Sequence, residues 1–181
     1  MSFLPDPTPD SLEPAQQAAW SAFAERHPGR LTNMKAVLLH DLPVFEAYMQ
    51  WYVLADRLAA RIGDRGVNLF SYAISDANEC LVCSVFFRRI LIDNGEDPDN
   101  PQVTEAEQLL IDWGRLIASN PGGIPDEFYA RLESSFNPQL RVILLAFAGQ
   151  MVATNLVNTV GRVPLDEVLY DYRKPGDTRV V

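Results

Sequence analysis

Cys80 and Cys83 form a Cys-x-x-Cys and are the only two cysteines in the chain. On a helix, residues three apart share a face, so the two sulfurs can form a disulfide if the first turn adjusts. Free backbone N–H groups and the helix dipole at a helix start stabilise a thiolate. One thiolate can attack an oxidant while its neighbour resolves the product. The sequence therefore predicts a redox-active dithiol.

Other uses of the two cysteines are also open. Free cysteine is among the most buried residue types, so the pair can serve packing alone. A structural zinc site needs four ligands, whereas the chain offers two thiols and two distant histidines, His27 and His40. We therefore expect neither a metal nor another cofactor.

Polar residues near the motif are candidates for supporting it. Asp76 and Glu79 can supply a carboxylate for proton transfer, or they can act as ordinary partners of a helix end. Asn68 and Tyr72 can line a pocket as hydrogen-bond donors, or they can form a polar seam between helices.

Helical periodicity predicts the elements that position the dithiol. A helix over 80–94 begins with the motif and ends at Gly95, and it follows helices over 43–62 and 64–78 separated by Gly63. No run of residues has a strand pattern, so the predicted fold is an all-α bundle of about seven to eight helices. The other predicted segments are 14–26, 34–39, 105–119 after a Thr104 capping box, 125–134, and 138–160 with Asn137 as N-cap.

The length of 181 residues fits one domain. Residues 1–13, rich in proline and aspartate, are predicted to be an extended N-terminal arm. Residues 14–172 are predicted to form the single domain, and 173–181 a C-terminal tail.

Charge and hydropathy restrict the partners. A net charge of −9 argues against nucleic acid and against an anionic membrane. The apolar stretch 142–157 is shorter than the roughly 20 residues a bilayer requires and contains Gln150 and Asn155, which predicts a buried helix. The N-terminus lacks a signal-peptide pattern, so we expect a cytoplasmic protein.

The sequence around the motif resembles the alkylhydroperoxidase D-like (AhpD-like), or carboxymuconolactone decarboxylase, superfamily. The resemblance lies in Arg-Gly-Val-Asn-Leu at 65–69 and Ile-Ser-Asp-Ala-Asn-Glu-Cys-Leu-Val-Cys at 74–83, and extends from about residue 31 to 163. It implies an AhpD-like helical bundle, assembly into dimers, trimers or hexamers, and peroxide reduction with Cys83 attacking and Cys80 resolving. Position at the helix start favours the opposite order, because the first cysteine is nearer the dipole. The order stays open.

The chain departs from that superfamily at two positions. The peroxidase branch has a histidine four residues after the second cysteine and an upstream glutamate, but Phe87 and Asn68 stand at these positions here. A phenyl ring cannot transfer a proton, and an amide is a poor base. The resemblance therefore carries over the dithiol without its proton relay.

The leading hypothesis is an enzyme, a thiol-disulfide oxidoreductase with hydroperoxide-reducing activity, reset by an unidentified thiol reductant. One alternative is a non-catalytic helical scaffold or ligand-binding protein that kept the fold and lost the chemistry. Another is a cofactor-free lactone decarboxylase, suggested by the superfamily name, which requires a general acid or base. The apolar helices at 43–62 and 138–160 favour a homo-oligomer.

Overall fold

The computed structural model describes residues 3–4 and 12–179, and the ordered elements within these ranges are all helical. This confirms the predicted all-α architecture. The α-helices are α1 (Pro14–Arg26), α2 (Asn33–Leu38), α3 (Leu42–Ala77), α4 (Leu81–Asp93), α5 (Glu105–Ser119), α6 (Asp126–Ser135) and α7 (Pro138–Val160), and two 3₁₀ helices span Pro121–Gly123 and Glu167–Tyr172.

Helix α3 consists of two helical halves that meet at Gly63. This glycine has φ 74° and ψ 161°, a backbone region that is essentially restricted to glycine. The break occurs at the glycine that the sequence predicted to end the first half. Because helical structure resumes at the next residue, the two halves form one long element that changes direction once.

The second half of α3 is the centre of the bundle. It packs against α4, α5 and α7 and is buried on nearly all sides. Its Phe70 is fully buried, with its ring centroid 6.1 Å from that of Phe147 on α7 and 6.2 Å from that of Trp113 on α5. Fully burying a side chain of this kind contributes about 1.5–3 kcal/mol, so these aromatic contacts hold three helices around the centre.

Helix α7 was predicted to be buried, but only one of its faces is. Among the described residues, α7 is the one helix whose length and apolar composition would allow it to cross a membrane. Its inner face packs along α3 and includes Leu144 and Phe147, which have no exposed surface. The outer face leaves Val142 69% and Leu156 61% exposed. Apolar side chains therefore occur on both the buried face and the exposed face of α7.

The C-terminal segment, residues 161–179, follows α7 and packs on α4 beside the two cysteines. Leu169 in the second 3₁₀ helix is 1% exposed and lies in one apolar cluster with both cysteines. The hydroxyl of Tyr172 donates to Asp93 Oδ1 at 2.9 Å. Residues 180–181 of the predicted tail, and 1–2 and 5–11 of the predicted N-terminal arm, lie outside the described residues. The predicted domain limits therefore stay predictions.

Candidate redox site

Cys80 occupies the junction between α3 and α4, where its backbone is bonded to both helices. Its N–H donates to Ser75 O at 3.0 Å, and the N–H of Glu79 donates to Asp76 O at 3.0 Å. Together these bonds form a Schellman cap at the end of α3, with Glu79 in the left-handed conformation at φ 55°. Cys80 is also the N-cap of α4, because its carbonyl accepts the N–H of Ser84 at 3.0 Å. The first sulfur is thus held at the helix start that the sequence predicted.

The two thiols are free and buried, and they differ strongly in acidity. The side chain of Cys83 donates a hydrogen bond to the Cys80 sulfur and lowers the pKa of Cys80 from 9.0 to about 7, against the opposing effect of burial. The backbone N–H of Cys83, the Thr159 hydroxyl and the charge of Arg179 act in the same direction. The pKa of Cys83 is raised well above its ordinary value, because its proton is held by Cys80 and its sulfur is buried. Cys80 is therefore the more acidic thiol.

An asparagine of α7 contacts the second sulfur. Asn158 is 1% exposed, and its Nδ2 donates to Cys83 Sγ at 3.0 Å. One turn earlier, Asn155 Nδ2 donates to Asn78 Oδ1 at 3.1 Å, while Asn155 Oδ1 accepts from Ser75 Oγ at 3.2 Å. These two amides link α7 to the end of α3 and to the dithiol, so they fix the position of the junction.

Two cavities meet the dithiol from different sides. The apolar cavity has a volume of about 80 Å³ and reaches Cys83. The polar cavity has a volume of about 230 Å³, reaches Cys80, and includes Glu79 and Arg179 in its wall. Asn158 belongs to the walls of both cavities. Each cysteine therefore lies in the wall of its own cavity, and Cys80 itself is 0% exposed.

The C-terminal segment brings a positive charge to the polar cavity. Lys174 Nζ binds both carboxylate oxygens of Asp76 at 2.7 and 2.8 Å, which fastens this segment to α3. Further along, Arg179 pairs with Asp177 at 2.6 Å, and its charge contributes to lowering the pKa of Cys80. Asp76 thus anchors the segment that carries Arg179.

The remaining residues that the sequence suggested for the site have different surroundings. Phe87 is 4% exposed and lies in the wall of the apolar cavity. Tyr72 is buried and bonds to Arg88, whose guanidinium binds Asp99 at 2.6 and 2.7 Å, so its hydroxyl belongs to an ionic cluster. Asn68 is half-buried and is part of neither cavity wall.

Three contributors to the site were missed by sequence reasoning. Asn158 and Thr159 follow Asn155 by one turn at the end of a strongly apolar helix, and that run of polar residues was the available signal. Arg179 had no comparable signal, because only the folded path of the C-terminal segment brings it to Cys80.

No family model matches this chain, and no curated protein matches it either. Among solved structures, it is similar to that of a protein of unknown function from Agrobacterium tumefaciens, provisionally named there as the antioxidant defence protein AhpD. The TM-score is 0.61, over 70% of this chain and 93% of that protein's chain. The fold is AhpD-like. At 18% sequence identity, the similarity extends to the AhpD-like fold and leaves the Cys-x-x-Cys to be judged from its own geometry.

Proposed function

We propose that this AhpD-like protein is a thiol-disulfide oxidoreductase that reduces hydroperoxides through Cys80 and Cys83. The observation that carries the proposal is the placement of two free thiols in the first turn of α4, each in the wall of a cavity and the second bonded to Asn158. Interaction with the Cys83 side chain also lowers the pKa of Cys80 to about 7. At neutral pH about half of Cys80 is then thiolate, which is the reactive form. Two cysteines that serve packing alone do not require a cavity beside either residue.

In the first step, the Cys80 thiolate attacks the terminal oxygen of a hydroperoxide that enters through the polar cavity. An S–O bond forms and the O–O bond breaks, so Cys80 becomes a sulfenic acid and an alkoxide leaves. The alkoxide takes the proton of the Cys83 thiol and departs as an alcohol. In this scheme the Cys83 thiol supplies the proton, because Phe87 stands where the peroxidase branch of the superfamily has a histidine.

In the second step, the newly formed Cys83 thiolate attacks the Cys80 sulfenic sulfur. The S–S bond forms and the S–O bond breaks, and the hydroxide that leaves takes a proton from solvent as water. Asn158 Nδ2, 3.0 Å from Cys83 Sγ, stabilises the thiolate during this step. An external dithiol then exchanges with the disulfide, becomes oxidised itself, and returns both cysteines to thiols. The cytoplasm, as a reducing compartment, supplies such reductants.

Mass spectrometry after one equivalent of tert-butyl hydroperoxide tests the proposal. We expect an intramolecular disulfide in the wild type and a Cys80 sulfenic acid, trapped by dimedone, in Cys83→Ser. Cys80→Ser should react more slowly near neutral pH than Cys83→Ser, because burial still raises the pKa of the remaining Cys83 thiol. Absence of the disulfide in the wild type would exclude the proposed chemistry and favour a non-catalytic ligand-binding protein.

We further propose that the protein is a homo-oligomer assembled through the outer face of α7. The spacing of this face alternates between four and three residues, which is typical of a seam between two helices. The face is apolar and has small residues at its centre; it comprises Val142, Ala146, Gly149, Ala153, Leu156 and Val160.

Light scattering during size-exclusion chromatography tests the assembly. Leu156→Glu should yield monomers, because burying a carboxylate in an apolar seam is costly. Tyr129→Glu, which alters an exposed aromatic of α6 that is 44% exposed, should leave the oligomer intact. A wild type that elutes as a monomer would contradict this proposal.

A further inference from the structure

The apolar cavity contains a lysine that is buried without a negative partner. Lys35 of α2 is 8% exposed, and it forms part of the cavity wall. Its Nζ lies 5.5, 5.2 and 5.3 Å from the ring centroids of Trp20, Phe23 and Tyr52. No ion pair to this ammonium occurs within residues 3–4 and 12–179. The ammonium nitrogen is not itself fully enclosed, and its contact with three aromatic faces leaves its N–H groups without a hydrogen-bond acceptor among the described residues.

A carboxylate lies in the same cavity wall as Lys35, but it already has other hydrogen-bond partners. Asp166 also belongs to the cavity wall and is 2% exposed. Its Oδ1 accepts from Arg30 Nη2 at 2.9 Å and from the backbone N–H of Asn33 at 3.1 Å. The negative charge of Asp166 is therefore matched by Arg30, and Lys35 keeps an unused donor inside the cavity.

The same cavity wall contains a buried polar atom that is unsatisfied. Asn158 uses its Nδ2 on Cys83, but its Oδ1 has no hydrogen-bond partner among the described residues. Buried polar groups of folded proteins nearly always have partners, so the open acceptor of Asn158 indicates a missing ligand group, and the unpaired Lys35 in the same wall can bind an anion. An anionic group satisfies Lys35, and an O–H group satisfies Asn158.

The remaining residues of the cavity wall indicate the size and polarity of the rest of that ligand. It is lined by aromatic rings and thioethers, among them Trp51, Phe87 and Met151. A volume of about 80 Å³ holds roughly six water-sized groups. Flexible methionine side chains permit a somewhat larger ligand. The rest of the ligand is therefore a short aliphatic chain or a single ring.

We propose that the apolar cavity is a binding site for a small apolar monocarboxylate, with its carboxylate on Lys35, and that a hydroxyl at its far end binds Asn158 Oδ1. The site goes beyond the dithiol chemistry, because binding requires neither thiol to react. A bound ligand covers Cys83 and leaves the polar cavity beside Cys80 open.

Isothermal titration calorimetry of the reduced protein tests the proposal with three probes: hexanoate, 6-hydroxyhexanoate and hexanol. Hexanoate should bind roughly 10- to 100-fold more tightly than hexanol, which corresponds to a hydrogen bond to a charged group. The hydroxy acid should bind more tightly than hexanoate. Lys35→Met, which keeps the side-chain length, should lose the preference for the acid, and Lys35→Arg should restore part of it.

Arg57→Met is the matched control, because Arg57 is an exposed cation on α3 outside the cavity. It should retain the wild-type preference. Equal affinity for hexanoate and hexanol in the wild type overturns the proposal, and so does a preference that survives in Lys35→Met or disappears in Arg57→Met. These outcomes are independent of peroxide reduction, since an inactive dithiol leaves the binding result unchanged.

Discussion

Replacing Cys83 by alanine should return the pKa of Cys80 toward 9.0, because the largest cause of its lowering is the hydrogen bond from the Cys83 side chain. The change from 9.0 to about 7 corresponds to roughly 3 kcal/mol. A full return to 9.0 would reduce the thiolate fraction of Cys80 at pH 7 from about half to about 1%, and the backbone N–H of residue 83, Thr159 and Arg179, which stay in the variant, make the expected loss smaller. The remaining thiolate is intrinsically more nucleophilic, by roughly eightfold for a full return, so reactivity at neutral pH should fall by about sixfold at most.

Ultraviolet titration of thiolate absorbance measures the prediction directly, since the variant has a single thiol and the method needs no access to a buried sulfur. Cys83→Ser is the matched control, because its hydroxyl can still donate to Cys80 and should keep the midpoint near the wild-type value of about 7. Identical midpoints for the alanine and serine variants would refute the reasoning. A first wild-type midpoint near 9 would refute it as well.

Two other substitutions test the support of the dithiol and of the fold. Asn158→Ala should slow disulfide formation about tenfold or more after peroxide treatment, with Cys80 still titrating near 7, because the amide bonds Cys83 and not Cys80. Stopped-flow tryptophan fluorescence measures the rate, and an unchanged rate would contradict the assigned role. Gly63→Ala should cost roughly 1–3 kcal/mol of unfolding free energy, because its φ of 74° suits only glycine. Gly29→Ala, at an ordinary φ with no atom within 4 Å, should change stability by less than about 0.5 kcal/mol in the same urea titration.

Local patterns in the sequence predicted most helix boundaries. The Thr104 capping box is present, with the Thr104 side chain and Glu107 bonding each other's backbone N–H. Gly95 adopts the left-handed conformation after α4, as expected for a helix-ending glycine. These features depend on residues three or four apart, so the chain specifies them without knowledge of the fold.

The end of α7 shows where such patterns are insufficient. Gly161 follows the helix as expected, but Arg162 takes the left-handed conformation, at φ 51°. Gly161 instead leaves room for the Val157 carbonyl and for the N-terminal segment, since an added Cβ would lie too close to Val157 O and 2.5 Å from Leu4 Cδ1. A requirement imposed by a distant segment leaves no local periodic signal.

Some residues of the candidate site could likewise be predicted from local sequence, and others could not. Cys80 and Cys83 were identifiable from their spacing, and the start of α4 at Cys80 followed from local pattern. Asn158, Arg179 and Lys35 come to the dithiol or its cavities from three other parts of the chain. Their roles depend on long-range packing of α2, α7 and the C-terminal segment, which periodicity alone does not specify.

The glycine break in α3 separates the residues that line the apolar cavity from those that hold Cys80. The half before Gly63 contributes Tyr48, Trp51 and Tyr52 to the apolar cavity, whereas the half after it forms the cap that holds Cys80. Mutations before the break can reshape the cavity without touching the residues that set the acidity of the thiols. The proposed ligand preference and the proposed thiol reactivity therefore depend on different halves of one helix, and each can be altered by substitutions that leave the other half unchanged.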